Sequence, residues 1–132
     1  MALLDWFRKT PRQFVTSANQ QANMDRQLAF TPRTLEELRK LGVDSRHLLR
    51  IEYFFYTNTE SKAQALAGDL RQLGYDVGVC PSAHDKRIIL VTGWSVPLPM
   101  SEQRVGGWTR EMCELAAKHD CDFDGWGTTP AQ

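Results

Sequence analysis

Several common functions are removed by what this chain lacks. Its 132 residues carry 16 Lys/Arg and 16 Asp/Glu, a formal charge of zero. No field of the whole protein therefore draws in nucleic acid or anionic lipid. No apolar run approaches the ~20 residues that span a bilayer. Met1-Ala2-Leu3-Leu4 has no basic n-region ahead of it and no useful h-region, so a secretory signal is not expected. The three cysteines, Cys80, Cys113 and Cys121, are odd in number, widely spaced and form no CxxC pair. Such a set fits reduced thiols in the cytoplasm better than a disulfide framework.

Catalytic and cofactor signatures are equally thin. No Ser-His-Asp or Cys-His arrangement is signalled, and no glycine-rich phosphate loop precedes a helix. A non-enzymatic protein is the expectation. His47, His84, His119 and the cysteines have no short ligand spacing, so neither a metal nor another cofactor is expected. Asp120-Cys121-Asp122-Phe123-Asp124-Gly125 copies the first half of a calcium loop, but its twelfth position is Ala131 instead of a bidentate Glu.

What the chain does hold is a core and an uneven charge. Hydrophobic residues make up 42%, which argues against global disorder. Met1–His47 carries eight Lys/Arg against five Asp/Glu, and Leu48–Gln132 eight against eleven. The start, Leu3-Leu4-Asp5-Trp6-Phe7-Arg8-Lys9, turns from apolar to basic. It has the composition of an interfacial anchor, but one short patch binds lipid only marginally. We therefore read an arm that docks on its own domain or on a second copy, with no membrane involved.

Helix starts are marked by Thr10-Pro11 and again by Thr31-Pro32. Leu35, Leu38 and Leu41 then form a stripe that Gly42 stops. This divides the chain into a partly helical arm, residues 1–30, and a domain, residues 31–132, led by a helix over 32–41. Leu48 to Tyr56 is apolar on both faces, as a central strand is. Ala63, Leu66, Ala67, Leu70 and Leu73 recur at helical spacing. Tyr75, Val77 and Val79 alternate as in a half-exposed strand, and Arg87 to Trp94 reads as a second buried strand. Ser101 starts a helix through Gly106-Gly107, which we assign to close helix–sheet packing. Cys121 and Phe123 alternate with Asp122 and Asp124 in a last strand.

The order strand, helix, strand, strand, helix, strand is that of an α+β ferredoxin-like sandwich. Right-handed crossovers put both helices on one face of a four-stranded antiparallel sheet whose first and third strands are central. An N-terminal helical extension precedes it.

Two segments carry a resemblance. Leu73-Gly74-Tyr75-Asp76-Val77 after the Ala/Leu helix, and Phe123-Asp124-Gly125-Trp126-Gly127-Thr128 after the last helix, resemble the regulator of ribonuclease activity B family. Gly42-Val43-Asp44 and Ile51-Glu52 are also similar to its pattern. The resemblance covers about Pro32 to Thr129, and the C-terminal hexapeptide is its specific element. It implies a ferredoxin-like domain that inhibits ribonuclease E by binding the endonuclease, with no chemistry of its own.

On that reading Asp122 and Asp124 present charge to a basic segment, and Trp126 anchors the strand end or meets the partner. Gly125 and Gly127 allow a bend beside the ring, and Thr128 completes the motif. Two alternatives come from the fold. Tyr53, Phe55 and Trp94 on the central strands would form an open-face platform that stacks single-stranded RNA. Against it, the third strand lacks the RNP1 pattern and the strand region is net acidic, so direct nucleic-acid binding is not expected. The other alternative is a structural homodimer with sheets packed face to face.

Overall fold

The structure, a computed structural model, describes residues 12–132. The anticipated helix start at Thr10-Pro11 and the residues Trp6 to Lys9 lie outside the described residues.

Helix α1 runs Ser17–Lys40, 24 residues, with the Thr16 hydroxyl accepting from the Asn19 N–H. It passes straight through Pro32, so the divide between an arm ending at Phe30 and a helix starting at 32 is corrected to one continuous helix. The start signal is overridden by packing, because Asn23 and Thr31 are buried along with Leu35 and Leu38 further on. Interior proline normally costs about 3 kcal/mol through a lost N–H and a ring clash. Around it, the Thr31 hydroxyl donates to the Gln27 carbonyl at 3.1 Å and the Thr34 hydroxyl to Phe30 at 3.3 Å.

Beyond the Gly42 stop come β1 (Leu48–Leu49), β2 (Glu52–Thr57), α2 (Glu60–Gln72), β3 (Asp76–Pro81), β4 (Ile89–Trp94), β5 (Leu98–Pro99), α3 (Glu102–Lys118) and β6 (Asp122–Gly127). Thr59 and Ser101 cap α2 and α3 through their hydroxyls. The fold is therefore α+β with three helices among the described residues. The long sheet has the order β3-β4-β2-β6 with every neighbour antiparallel, and β2 and β4 are central as expected. A two-stranded ribbon of β1 and β5 was not anticipated. Pro97 and Pro99 read as strand terminators, and two-residue strands leave too little pattern to see.

Strand β2 divides the sheet into two surfaces. Tyr53, Phe55 and Thr57 are fully buried, whereas Glu52, Phe54 and Tyr56 are half-exposed. Both α2 and α3 pack on the first surface, joining Leu66, Leu70, Val105, Trp108 and Met112 to Phe55, Val91 and Phe123 in one core.

Gly93 makes one close approach possible. The Tyr53 hydroxyl donates to the Asp76 carbonyl at 2.6 Å, across the space a side chain on Gly93 would fill. A Cβ there would stand 1.8 Å from the Asp76 oxygen. Gly106 and Gly107 are different: a Cβ on either meets nothing within 4 Å, so close packing is not their reason, and nothing in the structure explains them. Gly93→Ala should thus lower stability by ~3 kcal/mol, the upper range for overpacking. Gly106→Ala or Gly107→Ala should raise it by about 1 kcal/mol. Urea unfolding of the three variants checks both directions.

Candidate functional site

Strand β6 carries the hexapeptide. Phe123 lies in the core, its ring centroid 5.1 Å from Phe55 and 5.9 Å from Trp108. The pairing of β6 with β2 shifts register between Phe54 and Phe55, so Asp124 is an extra residue with no partner on β2. Gly125 absorbs the bulge at φ 120°, a backbone region that side chains rarely tolerate. The bulge returns Trp126 to the helix-facing surface, opposite Tyr53, where its ring meets Trp108 edge-on at 6.4 Å. Thr128 then donates its hydroxyl to the Arg50 carbonyl at 2.7 Å. Gly127 lies opposite Glu52, and a side chain there would meet nothing within 4 Å.

This strand is one edge of the sheet, and α1 covers it. The Asn23 amide donates to the Phe123 carbonyl at 2.7 Å and Gln27 lies beside it at 3.4 Å. A bare edge offers its carbonyls to any passing strand, and here helical side chains occupy one.

Just before β6, Asp120 is the only described non-glycine residue with positive φ, 53°. Its carboxylate accepts from the Phe14 and Val15 N–H groups at 2.7 and 2.9 Å and pairs with Lys62 at 2.6 Å. The Arg12 carbonyl in turn accepts from Asn58 and Lys62. Partial burial alone would raise the Asp120 carboxyl, but Lys62 and the two N–H donors outweigh it and hold it below its ordinary value.

The calcium-like spacing is thereby resolved. Asp120 serves the segment just ahead of α1, Asp122 faces outward opposite Tyr56, and Asp124 sits in the bulge. No group of three or more His, Cys, Asp or Glu among the described residues is placed to hold a metal.

The outer surface of the sheet corrects another expectation. Tyr53 and Phe55 do not stand on it; both are fully buried under the helices. The aromatics that do are Phe54 and Tyr56, one residue along, together with Trp94 of β4. Leu90 lies opposite Tyr56, Thr92 opposite Phe54, and Trp94 opposite Glu52. On β3 the same surface bears Asp76, Gly78 and Cys80. A strand apolar on both faces gives no periodic signal to say which residue points where.

The charged residues that the strands turn to this surface have one sign. The charged outward residues on the four strands are Glu52, Asp76 and Asp122, all carboxylates, with Asp124 beside them. Asp76 is paired with Arg50, whereas Glu52, Asp122 and Asp124 have no salt-bridge partner among the described residues. Partial burial raises the Asp122 carboxyl above its ordinary value; the Asp124 charge pushes the same way, and Arg26 only partly offsets them.

A family model described as regulator of ribonuclease activity B matches residues 29–128. The chain belongs to the regulator of ribonuclease activity B family. No curated protein matches it. The matched segment begins inside α1 and ends at Thr128, just past the bulged strand. Within this regulator, residues ahead of the match still enter the fold: Val15 and Asn23 are buried, and Asn23 holds the β6 edge. No described helix is long and apolar enough to cross a membrane. Three other altered groups belong to the frame. Asp69 is held low by His119 first and Lys118 second, and burial pushes the Cys113 and Cys121 thiols up to about 11.

Two substitutions have opposite pH signatures. Asp120 has a lowered carboxyl, so its stabilisation is full above the ordinary carboxylate range and is lost as pH falls through the folded-state value. Asp120→Asn, which keeps the shape, should cost about 2 kcal/mol near neutrality, and the deficit should fade in acid. Asp122 has a raised carboxyl, so its ionised form opposes folding. Asp122→Asn should stabilise the protein near neutrality, and that gain should vanish as pH falls. Thermal unfolding across pH 3–7 separates the two.

Proposed function

We propose that the protein is a non-enzymatic cytoplasmic regulator, built as a ferredoxin-like sandwich, that inhibits ribonuclease E by binding it. The family match over residues 29–128 carries this reading. Support for the sandwich comes from the order β3-β4-β2-β6, with α2 and α3 packed on one surface. Support for action by occupancy comes from the titratable groups. Asp69 and Asp120 are committed to bonds that hold a helix end and the segment ahead of α1, and Cys113 and Cys121 are core thiols. A group spent on the frame is not poised for proton transfer.

In this reading Trp126 supports the strand end from within the helix-facing surface, and Asp122 and Asp124 face the partner. Rim charges of that kind act mainly on association rate and salt dependence. Purified protein added to ribonuclease E should slow RNA cleavage in proportion to occupancy, while leaving RNA intact on its own. Immobilised full chain should retain the endonuclease at low salt and release it as salt rises. Retention of nothing at low salt would remove ribonuclease E as the partner.

One observation favours a second reading. Phe54, Tyr56 and Trp94 on the central strands have the layout on which single-stranded bases stack. The carboxylates around them oppose phosphate, and this reading ranks second.

A further inference from the structure

The outer sheet surface has aromatic rings that the regulator reading does not use. It combines three half-buried aromatic rings with carboxylates in register beside them. Trp94 lies across from Glu52, and Tyr56 lies between Leu90 and Asp122. Neighbouring strands stand about 4.8 Å apart, and alternate residues along a strand about 6.8 Å. Ring and carboxylate are thus close enough to engage one planar cation together. A guanidinium is suited to both: it stacks on an aromatic face and pairs with a carboxylate in a fork.

We propose that this surface docks an arginine-bearing polypeptide segment, with guanidinium groups stacked on Trp94, Phe54 and Tyr56 and paired with Glu52 and Asp122. The inference deepens the regulator reading and rests on its premise that the chain acts by binding a protein.

Charge selects this occupant over two others. A second copy placed face to face would set Glu52, Asp122 and Asp124 against the same residues, with no outward Lys or Arg on the strands to answer them. An RNA strand would bring phosphates to those carboxylates. Two described cations border this surface and already have partners: Arg50 pairs with Asp76 and donates to the Ser95 carbonyl, and Arg26 donates to Asn23. The opposite surface of the sheet is filled by α2 and α3, so of the two sheet surfaces this is the one those helices leave uncovered.

Cys80 provides a reporter. It is exposed and lies on this surface opposite Leu90, while Cys113 and Cys121 are buried. The test uses the full chain with three labelled probes: a twelve-residue Arg-Ser repeat peptide, the matching Lys-Ser peptide, and a twelve-nucleotide oligouridylate. Fluorescence anisotropy at low salt should rank the arginine peptide first, and its binding should slow Cys80 alkylation. Trp94→Ala and Glu52→Lys should each weaken it about tenfold, the loss of one anchor or one charge pair. If Trp94→Ala exposes the buried thiols, Thr92→Arg, which adds a cation at the outward centre, replaces it and should weaken the peptide as much.

Equal affinity for the lysine peptide would overturn the stacking role. Stronger binding and Cys80 protection by oligouridylate would overturn it in favour of RNA. A dimer by light scattering, with Cys80 already protected, would assign the surface to a second copy. The two readings separate cleanly. Ribonuclease E inhibition undiminished in Glu52→Lys and Trp94→Ala sinks the docking surface and leaves the regulator standing. Peptide binding without any inhibition by the native chain does the reverse.

Discussion

Trp108 is the contact on which the structure depends. Its ring is fully buried and meets Phe123 and Trp126 of β6 edge-on, while its N–H donates to the Tyr75 hydroxyl at 3.1 Å. Phe123 passes the contact on to Phe55 of the central strand. One side chain on α3 therefore locates the last strand, the middle of the sheet and the approach to β3. Large rings in edge-to-face contact add to simple burial because their quadrupoles align. The indole N–H also finds a buried partner, which removes the cost of hiding it.

The bulge in β6 follows from that contact. Without the extra residue at Asp124, strict alternation would place Trp126 on the outer surface, away from Trp108. The bulge shifts the phase by one, so the ring turns inward and Asp122 and Asp124 are left on or beside the outer surface. The hexapeptide that carries the family resemblance is thus first a device for closing the core. The position of its acids is a by-product of the same step, and that step makes the rim of the outer surface carboxylate-rich.

The N-terminal segment is part of this frame. Asp120, at the turn between α3 and β6, grips the Phe14 and Val15 amides; Asn23 holds the edge of β6; Leu35 and Leu38 complete the core. Composition divides this stretch from the strands that follow, but the contacts do not. Covering the β6 edge leaves β3, with Asp76 at its start and Pro81 at its end, as the sheet's other margin.

Much of this was legible in the residues alone. The helical stripes, the helix start at Ser101, the strand order and the family hexapeptide are local patterns. Local patterns survive in sequence because backbone geometry forces them at periods of 3.6 and 2. Three matters were settled only by tertiary packing. Which of Tyr53 or Phe54 faces the helices could not be read from a strand apolar on both sides. Whether Pro32 starts a helix or lies within one depended on burial of residues on either side of it. Where Trp126 points depended on a bulge whose only trace was a glycine. In each case two local conformations were open to the chain, and distant residues, Trp108 above all, chose between them.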